Sequence, residues 1–322
     1  MRQIAVADVG GTHARFALAG LDRGRVLSLS DPVTLKTSEH GSFQLAWQEF
    51  GRRSGIELPN ELSISFAGPV GGELLKLTNN PWVIRPALIK ERLGVDHYTI
   101  VNDFGAVAHA VATLGDEQFL HLCGPERPLP EAGVISIVGP GTGLGVAALL
   151  RKPEAYDVIE TEGGHVDFAP LDVLEDRILT ELRHSFRRVS IERIASGRGL
   201  WNLYEALGAI EGQPLAFHDE KELWEAALAG SDSLANAALD RLCLTLGAVS
   251  GDMALAQGAS AVVIAGGVGL RLADYLPQSG FRDRFIAKGR FERRMDEMPV
   301  KLITHPQPGL FGAAAAFARE HP

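Results

Sequence analysis

The stretch QIAVADVGGTHARFALA, residues 3–19, decides the fold. Gln3 to Val9 is an apolar run that reads as a buried strand. Gly10, Gly11 and Thr12 form a turn, and Ala14 to Ala19 resumes as a second strand. The result is a strand–glycine turn–strand hairpin with Asp8 at its tip. Glycines there let backbone N–H groups point at phosphate oxygens with no Cβ in the way. Asp8 at the strand end can hold the water shell of Mg²⁺, an ion that keeps waters and takes few protein ligands. A plain Asp-Gly hairpin turn is the competing local reading.

A similar unit recurs about 130 residues later, which suggests two structurally related halves. Val134 to Val138 is a strand, Gly139-Pro140-Gly141-Thr142-Gly143 a turn, and Leu144 to Leu150 the returning strand. This second turn is another candidate phosphate cradle. The chain has no GK dipeptide, so a Walker A loop is excluded. Gly143-Leu-Gly145-Val-Ala-Ala148 matches GxGxxA but lies inside the returning strand instead of opening a helix, so it is a poor dinucleotide fingerprint.

Further along, Tyr98 to Val101 is a strand, and Asn102-Asp103 closes it and opens a helix with Phe104, Val107, Ala108, Val111 and Leu114 at helical spacing. A carboxylate at that point is stabilised by the helix N-terminus and can accept a proton from a hydroxyl, although a simple N-cap would use the same residues. Asp103-Phe104-Gly105 spells the DFG of protein kinases, but no HRD or VAIK segment accompanies it. Glu162-Gly163-Gly164-His165 sets an acid and an imidazole three residues apart on a glycine turn, a pair able to bind vicinal hydroxyls. With no second histidine at ligand spacing, a metal site is disfavoured. Glu192 lies in a short segment, Ser190 to Ser196, that Gly197 is expected to stop. Ala261 to Ala265 is a buried strand ending in Gly266-Gly267, and Val300 to Thr304 a last strand before an alanine-rich helix from about Gly309. Strands and helices alternate throughout, so the class is α/β.

Composition narrows the function. Glycine is 36 of 322 residues, an excess that fits backbone turning tightly or approaching a ligand closely. The net charge of −9 argues against a nucleic-acid partner, which would need clustered Lys and Arg. Cys123 and Cys243 lie far apart and form no ligand set, so both are expected as reduced core thiols. No apolar run reaches the roughly 18 residues of a membrane span, and the short run Ile4 to Ala7, cut by Asp8, is not a signal peptide. The expectation is a cytoplasmic protein with no membrane or nucleic-acid partner.

In order along the chain, DVGGTHARFAL (8–18), LTNNPW (77–82), IVNDFGAV (100–107), GPGTGLGVA (139–147), EGGHVDFAP (162–170), ERIASGRGL (192–200), IAGGV (264–268) and PGLFGAAAA (308–316) resemble the bacterial ATP-dependent glucokinase family. The resemblance runs from residue 4 to about residue 316. It implies the two-lobed, ribonuclease H-like fold of actin, hexokinase and the heat-shock ATPases. A cleft is then expected between a small α/β domain (1–110 plus 304–322) and a larger α+β domain (111–303). Asp103 resembles that family's catalytic base, and Asn102, Glu162, His165 and Glu192 its sugar-binding residues, with Asn79 placed among them. Ala7, Asp8, Val9, Gly10, Gly11 and Thr12 resemble its first phosphate site, and Gly141, Thr142 and Gly143 its second. Gly266 and Gly267 match the turn beside the nucleoside. The implied substrates are ATP with Mg²⁺, reached through water at Asp8, and glucose, phosphorylated at its 6-hydroxyl at the entry to glycolysis.

The segment after His165 lacks the cysteines of the zinc-binding repressor–ORF–kinase (ROK) group, so the non-ROK type is expected. Another hexose (mannose, fructose or N-acetylglucosamine) remains open as substrate, as does a non-kinase ATPase of the superfamily. A sugar-sensing repressor would need a helix-turn-helix before the phosphate turn, for which there is no room. Helix 234–257 has enough apolar surface for either core or dimer seam, and a homodimer is expected.

Overall fold

The computed structural model describes residues 2–77 and 80–322. It divides into two compact units, one running to Gly115 and joined by His305–Pro322, the other Asp116–Thr304.

In the first unit, β1 (Arg2–Val9) and β2 (His13–Asp22) form the hairpin read from the sequence, with Val9 opposite Ala14 and Asp8 opposite Arg15. β3 (Arg25–Leu29) continues the meander, and β4 (Val33–Lys36) pairs with the start of β2. α1 (Phe43–Ser54) begins where the Ser42 hydroxyl accepts from the Leu45 N–H and stops at Gly55 in the left-handed region. β5 (Glu61–Phe66) lies parallel to β1; after a short hairpin, β6 (Leu75–Lys76) with β7 (Val83–Ile84), come α2 (Ile89–Leu93), β8 (His97–Asn102) parallel to β5, and α3 (Asp103–Thr113). The main sheet runs β3-β2-β1-β5-β8.

Both faces of β1 are covered, which is why it reads as a continuous apolar run and not an alternation. Ala5, Ala7 and Val9 pack with Phe16, Phe43, Trp47 and Phe50. Phe16 stacks on Phe43 and Phe50 at 5.7 and 5.3 Å between ring centroids. Ile4 and Val6 face the C-terminal helix Pro308–Glu320 through Leu310, Ala314 and Phe317. That helix crosses α3 in near backbone contact: a Cβ on Gly312 would lie 1.7 Å from the Ala106 carbonyl oxygen.

His109 sits on the buried side of α3, where burial, aided by the nearby Arg319 charge, pushes its imidazole down to about 4. The unfolded chain therefore takes up a proton near 6.5 that the folded chain refuses until about 4. Stability is expected to fall as pH drops through that window, by on the order of 3 kcal/mol, and to level off below it. Urea titrations between pH 7 and 4 check this, and His109→Gln should flatten the slope.

In the second unit, β9 (Phe119–Cys123) is followed by β10 (Gly133–Pro140), β11 (Leu144–Lys152) and β12 (Ala155–Thr161), an antiparallel meander. Four helices follow: α4 (Val173–Ser185), α5 (Gly197–Glu211), α6 (Glu220–Ala229) and α7 (Ser233–Gln257). β13 (Ala261–Ile264) lies parallel to β10; after α8 (Gly266–Arg271), α9 (Phe281–Ile286) and α10 (Glu292–Asp296), β14 (Val300–Ile303) lies parallel to β13. The order is β12-β11-β10-β13-β14-β9. A three-strand meander followed by two parallel strands repeats the first sheet, so the duplicated hairpin belongs to a duplicated sheet.

α7 is a core helix. Its Leu242, Leu246 and Val249 are buried with Val138 and Ile264 of the sheet. Gly197, expected to end a helix, instead opens α5, because Ser196 before it accepts from the Gly199 N–H at 3.1 Å and caps the first turn. Asp172 caps α4 by accepting from Glu175 N–H, and it also takes Arg284 of α9 and Arg241 of α7, joining three helices.

Candidate active site

The first glycine turn sits at the carboxyl end of β1, beside those of β5 and β8, the edge where open α/β sheets bind ligands. Ala7 and Val9 are fully buried and belong to the core beneath the turn. The Gly10 N–H closes the turn on the His13 carbonyl at 3.0 Å. The Gly11 carbonyl accepts from the Thr37 hydroxyl at 2.7 Å and the Asn80 amide at 3.1 Å. Because a trans peptide sets N–H opposite C=O, these bonds aim the Thr12 N–H the other way.

Asp8 is braced from both neighbouring strands. Ser65 donates to its Oδ1 at 3.0 Å, and Arg15 Nη1 lies 3.2 Å from Oδ2. Neither partner was read from the sequence, yet strand register holds the signal: Asp8 pairs with Arg15 in β2 and with Ser65 in β5.

On the same edge, Asn102 is level with Phe66 and thereby with Val9. Asn102 caps α3, its Oδ1 accepting from the Phe104 and Gly105 N–H groups at 2.9 and 3.2 Å, while its Nδ2 donates to the Gly68 carbonyl at 3.2 Å. Asp103 is the first helical residue, and its Oδ1 accepts from Phe104 N–H at 2.9 Å. The cap is Asn102 and the carboxylate is its neighbour Asp103, so the two roles that the sequence leaves open for this pair fall on adjacent residues. Asn79 lies outside the described residues.

In the second unit the turn between β10 and β11 closes by Gly141 N–H on the Gly143 carbonyl at 2.8 Å, and the Gly141 carbonyl accepts from Gly197 N–H at 2.7 Å. That bond aims the Thr142 N–H away from α5, as the ties on Gly11 do for Thr12. Gly266 starts α8 at φ +80°, and a Cβ there would sit 2.5 Å from the Pro140 carbonyl oxygen, so the two glycine segments touch through backbone. A Cβ on Gly267 would meet nothing within 4 Å.

Beside this loop stand the acid and imidazole side chains. His165 Nδ1 is 3.4 Å from Glu192 Oε1, and its Nε2 is 3.8 Å from Glu162 Oε2. A miniature antiparallel clip brings the two segments together: Ile191 N–H donates to the Val166 carbonyl at 2.8 Å, Phe168 N–H to the Val189 carbonyl at 3.0 Å, and Arg188 pairs with Asp167 at 2.6 Å. Glu192 is mostly covered, while Glu162 and His165 stay open to solvent. Such a set can accept from and donate to the hydroxyls of a polyol. Among the described residues no group of three or more His, Cys, Asp or Glu side chains is arranged to hold a metal. Nor is any helix there long and apolar enough to cross a membrane.

A fold duplicated down to its glycine turns is that of the actin-like ATPases, and the glucokinase structures it matches place it among the sugar kinases of that fold. Residues 5–320 match the family model for glucokinase, and the chain belongs to the glucokinase family. It is 63% identical to a glucokinase of Zymomonas mobilis over 319 residues, 99% of this chain and 98% of that one. The crystal structure of a glucokinase from an Antarctic psychrotroph matches with a TM-score of 0.85 at 32% identity, covering 99% of both chains. A glucokinase from Balamuthia mandrillaris, solved in complex with glucose, shares the fold with a TM-score of 0.80 at 20% identity, over 99% of this chain and 94% of that one. The chain is a hexose kinase.

Proposed function

We propose that the chain transfers the γ-phosphoryl group of ATP to the 6-hydroxyl of D-glucose, in the cytoplasm, at the entry to glycolysis. One observation carries the sugar half of this reading: His165 has a carboxylate near each ring nitrogen, Glu192 at 3.4 Å and Glu162 at 3.8 Å. An ATPase acting on water alone has no use for that set. Asn102 and Asn79 join the three in holding the ring hydroxyls.

Asp103 takes the proton of the 6-hydroxyl as its oxygen attacks the γ-phosphorus in line, a reaction that asks chiefly for positioning and charge neutralisation. The backbone of the two glycine turns, residues 7–12 and 141–143, cradles the phosphates, and Gly266 and Gly267 flank the nucleoside. Mg²⁺ fits at Asp8 through water, because a single braced, part-exposed carboxylate suits an ion that keeps most of its hydration shell. When bound it offsets the negative charge on the phosphate oxygens. The thiols of Cys123 and Cys243 are buried and each is pushed up to about 12 by burial, which keeps them protonated and unreactive. A homodimer is part of the same reading, and with α7 inside its own core, another face has to form the seam.

The test is ADP formation from ATP with glucose, mannose, fructose and N-acetylglucosamine, and with no sugar. Glucose is expected to drive the reaction and water to compete poorly. Glu192→Gln is expected to raise the glucose KM roughly 10- to 100-fold, the effect of losing a hydrogen bond to a charged group. ADP release indifferent to every sugar would overturn the proposal.

A further inference from the structure

Gly143 and Glu192 belong to different parts of the proposed site, one on the donor's phosphate loop and the other on the sugar, yet they touch. A methyl group built on Gly143 would come 2.9 Å from Oε2 of Glu192. Ordinary van der Waals contact to a Cβ begins at 3.4 Å, and a contact under 3.0 Å forces one partner to shift. The other oxygen, Oε1, is the one 3.4 Å from His165. The Glu192 carboxylate is therefore seated between the imidazole on one side and bare backbone on the other. The same loop is tied again five residues past Glu192, where Gly197 N–H donates to the Gly141 carbonyl at 2.7 Å.

We propose that Gly143 is a positioning residue for the sugar, its missing side chain setting where the Glu192 carboxylate stands, so that donor loop and sugar site are coupled through this contact. The inference rests on the reading of Glu192 as a sugar ligand. What an added methyl would strike is the tip of a flexible side chain and not backbone, so the fold can absorb it and the displacement falls on Glu192. Gly266 differs, since its methyl would strike the Pro140 carbonyl. Gly141 differs in the opposite sense, since its Cβ would meet nothing within 4 Å. Two glycines of one phosphate loop are thereby distinguished by what stands behind them. Coupling of this kind is reciprocal: a donor that shifts the loop changes the affinity for sugar, and sugar changes the affinity for donor by the same factor.

Calorimetric titration of glucose in the absence of nucleotide tests this on the full chain. Gly143→Ala is expected to weaken glucose roughly tenfold or more, as loss of a charged hydrogen bond would, while Gly141→Ala keeps the wild-type glucose Kd. Glu192→Asp, shorter by one methylene, withdraws the carboxylate from the added methyl. Gly143→Ala combined with Glu192→Asp should therefore bind glucose about as well as Glu192→Asp alone, the non-additivity of residues in contact. A wild-type glucose Kd in Gly143→Ala, equal losses in both glycine variants, or fully additive losses in the double variant would each overturn the proposal. Glu192→Gln separates the two levels: if it binds glucose like wild type, the reading of Glu192 itself has failed and the inference falls with it. Should Gly143→Ala not fold, the wild type answers instead. Saturating ADP should then change the glucose Kd, and the change should vanish in Glu192→Ala, which leaves no side-chain tip against Gly143; its persistence there overturns the coupling.

Discussion

Asp103→Asn is expected to lower kcat by roughly 10²–10⁴-fold, the usual contribution of a positioned general base, while glucose still binds with near wild-type Kd. Asparagine has the size and shape of aspartate, so the start of α3, held by the Asn102 cap on Phe104 and Gly105, stays in place. Only the ability to accept a proton is lost. Steady-state kinetics with a coupled ADP assay read the turnover, and calorimetry reads the binding. A kcat within a few-fold of wild type would remove Asp103 from the chemistry.

The second large effect is on stability. Gly312→Ala places a methyl 1.7 Å from the Ala106 carbonyl oxygen and 3.0 Å from the Ala110 nitrogen, both on the α3 backbone. Neither atom can swing aside as a side-chain tip can, so the two helices must part. Overpacking of this kind costs about 1–3 kcal/mol and sometimes more, and a backbone collision belongs at the upper end. At about 2.1 cal/mol/K of unfolding entropy per residue, each kcal/mol moves the midpoint of a 322-residue chain by about 1.5 °C, so a melting temperature lower by roughly 3–5 °C is expected. Turnover should fall as well, because α3 carries Asp103. A thermal melt unchanged by the substitution would show that the crossing is looser than described.

Much of this was legible in the sequence, and for local reasons. The hairpins announce themselves because apolar strand, glycine turn and apolar strand are contiguous, and Asn102-Asp103 because it falls where a strand period gives way to a helix period. What escaped depends on pairing between distant segments. Arg15 and Ser65 reach Asp8 only through the register of β1 with its neighbours. His165 and Glu192 meet through a clip between residues 166–168 and 189–191 that no single window of sequence contains. Gly197 was misread for a subtler reason: glycine usually ends helices, but here Ser196 supplies the cap that begins one, and a Cβ at 197 would crowd the Gly141 carbonyl oxygen at 3.1 Å. α7 stayed undecided because a helix apolar on most sides gives no face from which to tell core from seam.

The return of the final helix to the first unit bears on biosynthesis. Ile4, Val6 and Ala17 are translated early, but the residues that cover them, Leu310, Ala314 and Phe317, emerge from the ribosome only after the whole second unit has been made. At about 5–20 residues per second the nascent sheet waits on the order of ten seconds or more with one apolar face bare. The contiguous Asp116–Thr304 segment meanwhile has everything it needs to complete its own core. A chain cut short before the helix Pro308–Glu320 would leave that early sheet permanently uncovered, and chaperones or proteases would meet it before any substrate did.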